Sequence, residues 1–243
     1  MHIIKLNATD STNSYLRRLS LSEELEDFTV VRADYQSEGR GQMGTSWQSQ
    51  ASKNLMVSVF KRIECLQVER QFLVSMCVSL AVKEVLSHYL LKQVKIKWPN
   101  DILSENKKIA GILIETIIKN NQLKSAIVGV GLNVNQIEFN ELPKASSFQS
   151  LTGRWFDLDE VLNLLLVHLE DFFKLLEQKK FHEIERAYIK SLFRKDKPST
   201  FESAKGETFT GYIKGVTSTG QLQVLVEDGI VEQFDMKQVS LIY

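Results

Sequence analysis

Asn100, Asp101 and Lys108 place an amide, a carboxylate and a cation within one short stretch, KIKWPNDILSENKKIAGILIE at 95–115. Proline fixes its own φ and holds the preceding residue extended, so a strand over 95–98 stops at Pro99 and presents Asn100 and Asp101 at its end. A polar tip at 104–107 leads back through Lys108 into a second strand, 109–115. Gly111 lies on that strand, where the missing Cβ admits a ligand or another backbone. These groups suit an anionic ligand, with or without a metal ion. The plain alternative is a Pro-Asn-Asp turn beside a solvated lysine, and the stretch by itself does not choose.

Three other places carry polar groups with chemical potential. Ser11, Thr12 and Asn13 stand where a helix should begin. Such residues are preferred helix caps, and the same hydroxyls offer donors and acceptors to a polar ligand. Between 34 and 47, Gln36 precedes Gly39, Arg40, Gly41, Gln42 and Gly44, and Trp47 closes the run. Glycines so dense predict a mobile loop with no regular element. Loops of this kind fold over anions through backbone N–H groups, with arginine as a forked donor. A flexible surface connection explains the glycines equally well but leaves Trp47, costly to expose, without a reason. Gly129 and Gly131 share one face of an apolar strand that ends at Asn133, which predicts a ligand lying against bare backbone.

The elements that must position these groups follow from periodicity. Residues 2–6, 28–33, 54–60 and 126–133 read as strands, and the run at 54–60 is apolar enough to be covered on both faces. A helix is expected from 14 to about 19. Residues 71–90 carry apolar pairs at helical spacing, as do 157–177 and 181–193, and Asp157 with Glu160 forms a capping-box-like start. Residues 140–153 read as a loop. Beyond Pro198 the period falls to two, with strands at 208–216, 221–227 and 230–235 and an Asp228-Gly229 turn. The expected organisation is a domain over 1–190 and a small β-barrel over 191–243.

At 243 residues with 43% hydrophobic and 25% charged residues, the composition is that of an ordinary globular protein. A formal net charge of zero gives no global pull towards nucleic acid or an anionic membrane. Cys65 and Cys77 sit in apolar surroundings and read as small packing residues. His88, His168 and His182 lack metal-ligand spacing. With no apolar leader and no 18-residue apolar run, the expected compartment is the cytoplasm.

Taken together and in this order, STN at 11–13, YQ followed by GRGxxGxxW at 39–47, KWPND at 97–101, KxAGIL at 108–113 and GxGxN at 129–133 resemble the biotin protein ligase family across nearly the whole chain. The resemblance implies an α+β fold: a mixed β-sheet flanked by helices, then an SH3-like β-barrel. It implies that biotin's carboxylate attacks the α-phosphate of ATP, and that a lysine of a biotin carboxyl carrier domain takes the acyl group from biotinyl-AMP. Two anions must meet, so cations and Mg²⁺ matter more there than a base. On this resemblance Lys108 and Arg40 are the catalytic cations. Ser11, Thr12, Asn13, Gln36, Arg40, Gly41, Gln42, Lys108 and Gly111 belong to the biotin site. Gly39, Gly44, Trp47, Asn100, Asp101 and Asn133 belong to the ATP and adenylate site, with Asp101 the candidate Mg²⁺ partner. The implied partner is the carrier domain of a carboxylase. No DNA, no membrane and no covalent enzyme intermediate are expected, and the chain would act as a monomer or homodimer.

Two departures from the family pattern stand out. Gln42, Met43 and Thr45 occupy positions where many members carry arginine, which predicts a weaker hold on biotinyl-AMP. The chain also begins almost at STN, so the resemblance is to the short form without an N-terminal helix-turn-helix. Two rivals carry different chemistry. A lipoate ligase or octanoyltransferase shares the fold class, and the latter needs a nucleophilic cysteine. A non-catalytic biotin- or carrier-binding module has no need of Asn100, Asp101 and Lys108 together.

Overall fold

The computed structural model describes residues 2–89, 91–140 and 142–243. Leu90, the end of the expected second helix, lies outside them. Two sheets share one hydrophobic core. The larger has seven strands in the order β1-β2-β3-β7-β6-β5-β4, formed by β1 (Ile3–Leu6), β2 (Thr29–Ala33), β3 (Leu55–Arg62), β4 (Lys95–Lys97), β5 (Asp101–Ser104), β6 (Lys107–Lys119) and β7 (Gln122–Leu132). β1 runs parallel to β2, and every other neighbouring pair is antiparallel, so the sheet is mixed. Parallel neighbours need a crossover, which the helix α1 (Thr12–Ser22) helps to supply.

Side chains alternate across the sheet, as period two demands. Val30 joins the cluster with α2 (Phe72–His88) and α4 (Leu158–Glu177), whereas Val31 joins Leu16 of α1 on the opposite face. The helix α2 is apolar nearly all round because the sheet covers one side and α4 with α5 (Phe181–Ser191) the other. Asp157 caps α4 by accepting from the Asp159 and Glu160 amides.

The second sheet is antiparallel, with five strands in the order β11-β10-β9-β8-β12: β8 (Pro198–Ser203), β9 (Thr208–Val216), β10 (Leu222–Leu225), β11 (Val231–Phe234) and β12 (Val239–Ile242). It packs directly onto the first. Trp98 Nε1 donates to the Gly220 carbonyl at 2.9 Å, and the Phe193 amide donates to the Ile96 carbonyl at 2.8 Å. Gly220, at φ +95°, also lets the Phe72 ring close against its backbone, where any Cβ would collide with the ring.

Several boundaries differ from the sequence reading. The stretch at 95–115 is three strands rather than one hairpin: Lys97 pairs with Asp101 around the Trp98–Pro99–Asn100 turn, and Asp101–Ser104 then pairs with β6. Four residues between two turns are too few to show a period. β6 and β7 extend to a tip at Asn120 and Asn121, both at positive φ, the left-handed conformation that asparagine tolerates. The expected loop at 140–153 contains a short helix, α3 (Phe148–Thr152), capped by Ser147. The strands β8 and β12 were not expected.

Candidate active site

A cavity of about 360 Å³ opens between the two sheets. Its floor is a glycine pair: Gly111 of β6 and Gly131 of β7 stand opposite each other in register. The Trp47 ring lies over both. A Cβ on Gly111 would come within 2.8 Å of the ring, and one on Gly131 would overlap it. The neighbouring Gly129 makes room in the same way for the Asn13 side chain. Gly129 and Gly131 both line the cavity, as the expectation of bare backbone at 129 and 131 requires. In this state the glycines accept the chain's own Trp47 and Asn13.

The loop that carries Trp47 holds more order than glycine density predicts. Arg40 and Ser46 form an antiparallel bridge around a single turn of 3-10 helix, Gln42–Gly44, with the Gly41 amide on the Thr45 carbonyl at 2.7 Å. The glycines permit that close return: a Cβ at Gly39 would meet the Trp47 carbonyl, and one at Gly41 the Thr45 hydroxyl. Gln42, Met43 and Thr45 all line the cavity, so the positions that depart from the family pattern do face it.

At one end of the floor lies an ion-pair cluster. Lys108 Nζ is 2.6 Å from Asp101 Oδ1, an ion pair by distance although not aligned as a hydrogen bond, and Lys97 Nζ is 3.5 Å from Oδ2. Lys108 also sits 5.5 Å from the Trp47 ring centroid, a cation–π approach. Its backbone is fixed by the segment after residue 141: the Lys108 amide donates to the Lys144 carbonyl at 2.7 Å, and the Ser146 amide to the Lys108 carbonyl at 3.0 Å. Asn100 is tied to β6 through Ile112, its Nδ2 donating to the Ile112 carbonyl at 2.8 Å, which leaves its side-chain oxygen for the cavity. Among the described residues no three His, Cys, Asp or Glu side chains gather as a metal cage, and Asp101 is the one carboxylate on the cavity wall.

At the other end, Ser11, Thr12 and Gln36 meet. Thr12 donates through both its amide (2.7 Å) and its hydroxyl (3.0 Å) to Gln36 Oε1, and accepts from Ser58 Oγ at 2.8 Å. Ser11 occupies the N-cap position of α1 but makes no capping bond, so its hydroxyl stays available. Asp10 holds this turn: it accepts from the Ser11 amide at 2.7 Å and grips Arg18 with both oxygens. The Arg18 fork beside it keeps the Asp10 carboxyl well below the usual carboxylate range. Arg40 points along the same side to Glu115, 3.3 Å away, and to Ser14 Oγ.

Of the residues chosen from sequence, Ser11, Thr12, Asn13, Gln36, Arg40, Gly41, Gln42, Trp47, Asn100, Asp101, Lys108 and Gly111 line this one cavity. Gly39, Gly44 and Asn133 do not. Gly39 and Gly44 shape the loop, and Asn133 is buried with its Nδ2 on the Ser146 carbonyl at 3.1 Å. Asn13, though on the wall, spends its amide internally on Ser58, Leu113 and Glu115. Sequence reading passed over Lys97, which shares the KWPND motif and was in reach. It also missed the wall from the second sheet, including Ile213, Leu222, Met236 and Lys237, for which no local pattern gives a signal.

Comparison with known proteins places these features in context. Residues 6–133 match the model of the biotin/lipoate A/B protein ligase family. The bifunctional ligase/repressor BirA of Escherichia coli is 29% identical over 238 residues, covering 97% of this chain and 73% of that protein. A biotin–[acetyl-CoA-carboxylase] ligase of Paracoccus denitrificans is 28% identical over 225 residues, covering 89% of this chain and 91% of that protein. Among solved structures, the biotin protein ligase of Aquifex aeolicus in complex with biotin and ATP superposes with a TM-score of 0.81 at 27% identity, covering 99% of this chain and 98% of that one.

Proposed function

The chain belongs to the biotin/lipoate A/B protein ligase family, and on that footing we propose that it is an ATP-dependent biotin–protein ligase. The observation that carries this reading is the Lys108–Asp101 pair at the end of a glycine floor, beneath a folded glycine loop. In the first step an oxygen of the biotin carboxylate bonds to the α-phosphorus of ATP as the bond to pyrophosphate breaks. In the second, the amine of a carrier-domain lysine attacks the acyl carbon, and AMP leaves with the bonding electrons. Both reactants of the first step are anions, so preorganised positive charge lowers its barrier most.

Lys108 neutralises the carboxylate and the α-phosphate where they meet. Arg40, once it leaves Glu115, adds a second cation from the loop. Ser11, Thr12 and Gln36 hold the ureido ring by hydrogen bonds, Trp47 walls the adenylate, and Asn100 offers its free side-chain oxygen to the nucleotide. Mg²⁺ carried with ATP supplies further charge neutralisation, and Asp101 suits a metal that takes one or two carboxylates together with substrate phosphates. Neither cysteine lines the cavity, and burial pushes both thiols up, which disfavours a thiolate acyl carrier and with it the octanoyltransferase reading.

The proposed acceptor is the biotin carboxyl carrier domain of a carboxylase, and the proposed compartment is the cytoplasm, with the chain a monomer or homodimer. No helix among the described residues is long and apolar enough to cross a membrane. The deciding experiment is incubation with MgATP and either biotin or lipoate, read by mass spectrometry. Biotinyl-AMP, followed by label on a carrier domain, is the expected result. Lipoyl-AMP alone, or no acyl-adenylate, would overturn the proposal.

A further inference from the structure

The second sheet contributes Lys237 to the cavity wall, from the turn between β11 and β12. That turn runs from Asp235 to Gln238. The Gln238 amide donates to the Asp235 carbonyl at 3.1 Å, and the Gln238 side-chain oxygen accepts from the Asp235 amide at 2.7 Å. Lys237 is its third residue, at φ +72°. A turn with positive φ in that position takes glycine or asparagine by preference, because a Cβ there crowds the backbone. The Lys237 backbone is therefore held in the left-handed region, which residues with a Cβ seldom adopt.

The other cations on the wall are already engaged. Lys108 and Lys97 lie on Asp101, and Arg40 on Glu115. Lys237 takes part in no ion pair among the described residues. The glycine loop, for its part, lines the cavity with Gln42, Met43 and Thr45, all neutral.

We infer that Lys237 is a substrate-contacting residue that binds the β- and γ-phosphates of ATP and stabilises the departing pyrophosphate, supplying from the second sheet a charge beyond that of Arg40, where Gln42, Met43 and Thr45 supply none. This rests on the adenylate-forming reading above. It assigns the second sheet a direct part in the first step, with Lys108 serving the reacting centre and Lys237 the leaving group.

Three proteins test it: wild type, Lys237→Gly and Lys237→Arg. Glycine is favoured in a left-handed turn, so the first variant keeps the fold and loses only the cation. Binding of inorganic pyrophosphate and of AMP, each with Mg²⁺, is measured by calorimetry, alongside KM for ATP and for biotin. In Lys237→Gly the pyrophosphate Kd and the KM for ATP should rise about tenfold, the loss expected for one charge-assisted contact. AMP binding and the KM for biotin should stay as in wild type, and arginine should restore the rest. A merely structural role would not separate pyrophosphate from AMP. Equal pyrophosphate affinity in wild type and Lys237→Gly, or none in wild type, overturns the inference. If wild type binds pyrophosphate through Lys237 yet forms no biotinyl-AMP, the ligase reading falls and the phosphate site stands.

Discussion

Lys108 and Asp101 approach to 2.6 Å because the Trp98–Pro99–Asn100 turn and the return through β6 bring two strand ends together. Removing the lysine leaves Asp101 facing incoming anions with Lys97 alone. Lys108→Ala should remain folded and lose about 1.5–3 kcal/mol of transition-state stabilisation, roughly ten- to a hundredfold in rate. Adenylate formation at the wild-type rate would make Lys108 a bystander. Asp10 gives a pH-dependent counterpart. Its folded pKa is depressed, chiefly by the Arg18 hydrogen bonds, so its contribution to stability is present above the ordinary value of 3.8 and is lost as pH falls below it. The pair is largely exposed, so solvent screening keeps the effect small. Asp10→Asn should be less stable than wild type at neutral pH and converge with it in acid, and its KM for biotin should rise because the turn that carries Ser11 loses its charged tie to Arg18. A stability gap that persists in acid would place the effect elsewhere. Residue identities were legible wherever a motif named them, but their use was not. Asn13, Asn100 and Asn133 look alike in sequence, yet Asn133 is buried on Ser146, Asn13 is consumed by Ser58 and Glu115, and Asn100 keeps one oxygen free.

The glycine loop and the floor beneath it fit each other at the level of elements. Glycines at 39 and 41 let the loop turn back on itself, while those at 111 and 131 let Trp47 lie on the sheet. All of these glycines were legible in the sequence, where 129 and 131 predict a ligand and 111 a ligand or another backbone, because an absent Cβ announces a close approach without saying what approaches. Ligand and indole now compete for one surface or stack upon it. Gly131→Ala sets a methyl against the Trp47 ring, an overpacking that costs about 1–3 kcal/mol if the ring stays. The ring can instead lift, since the loop is anchored by few hydrogen bonds. The variant should therefore keep its strands while amide exchange at 39–47 quickens and Trp fluorescence shifts. Exchange unchanged from wild type would mean that Trp47 does not rest on Gly131 in solution. Most strands and helices followed from periodicity, and the misses were mostly short: β5 and β12 have four residues and α3 has five, too few for either period to show, whereas β8, with six, was also passed over.

At the scale of the whole molecule, residues beyond 190 looked like a separate small barrel, since their period-two pattern begins after Pro198. Packing ties them to the rest. Phe201, Ile213, Val216, Leu222, Val224 and Val239 belong to the same buried cluster as the α2 and α4 side chains. No local pattern announces such a contact, because Trp98 and Gly220 are far apart in sequence, the one reading as a strand end and the other as an ordinary turn residue. Trp98 is the joint. It lies one residue before Pro99 and two before Asn100, its ring is buried, and its Nε1 reaches the Gly220 carbonyl. One continuous core implies one cooperative unfolding event, with near-UV circular dichroism and exchange protection in 198–243 lost together. Trp98→Ala would remove an aromatic from that joint and should cost about 3–5 kcal/mol. If the joint couples the sheets, the second sheet should then open below the global transition, and ATP-dependent activity should fall with it because Leu222 and Lys237 leave the cavity wall. Trp98→Phe keeps most of the apolar area and loses only the hydrogen bond, so it should cost about 1 kcal/mol and leave a single transition. Two resolved transitions in the wild type would instead mean that the sheets fold as independent units, and that the cavity between them forms only when they meet.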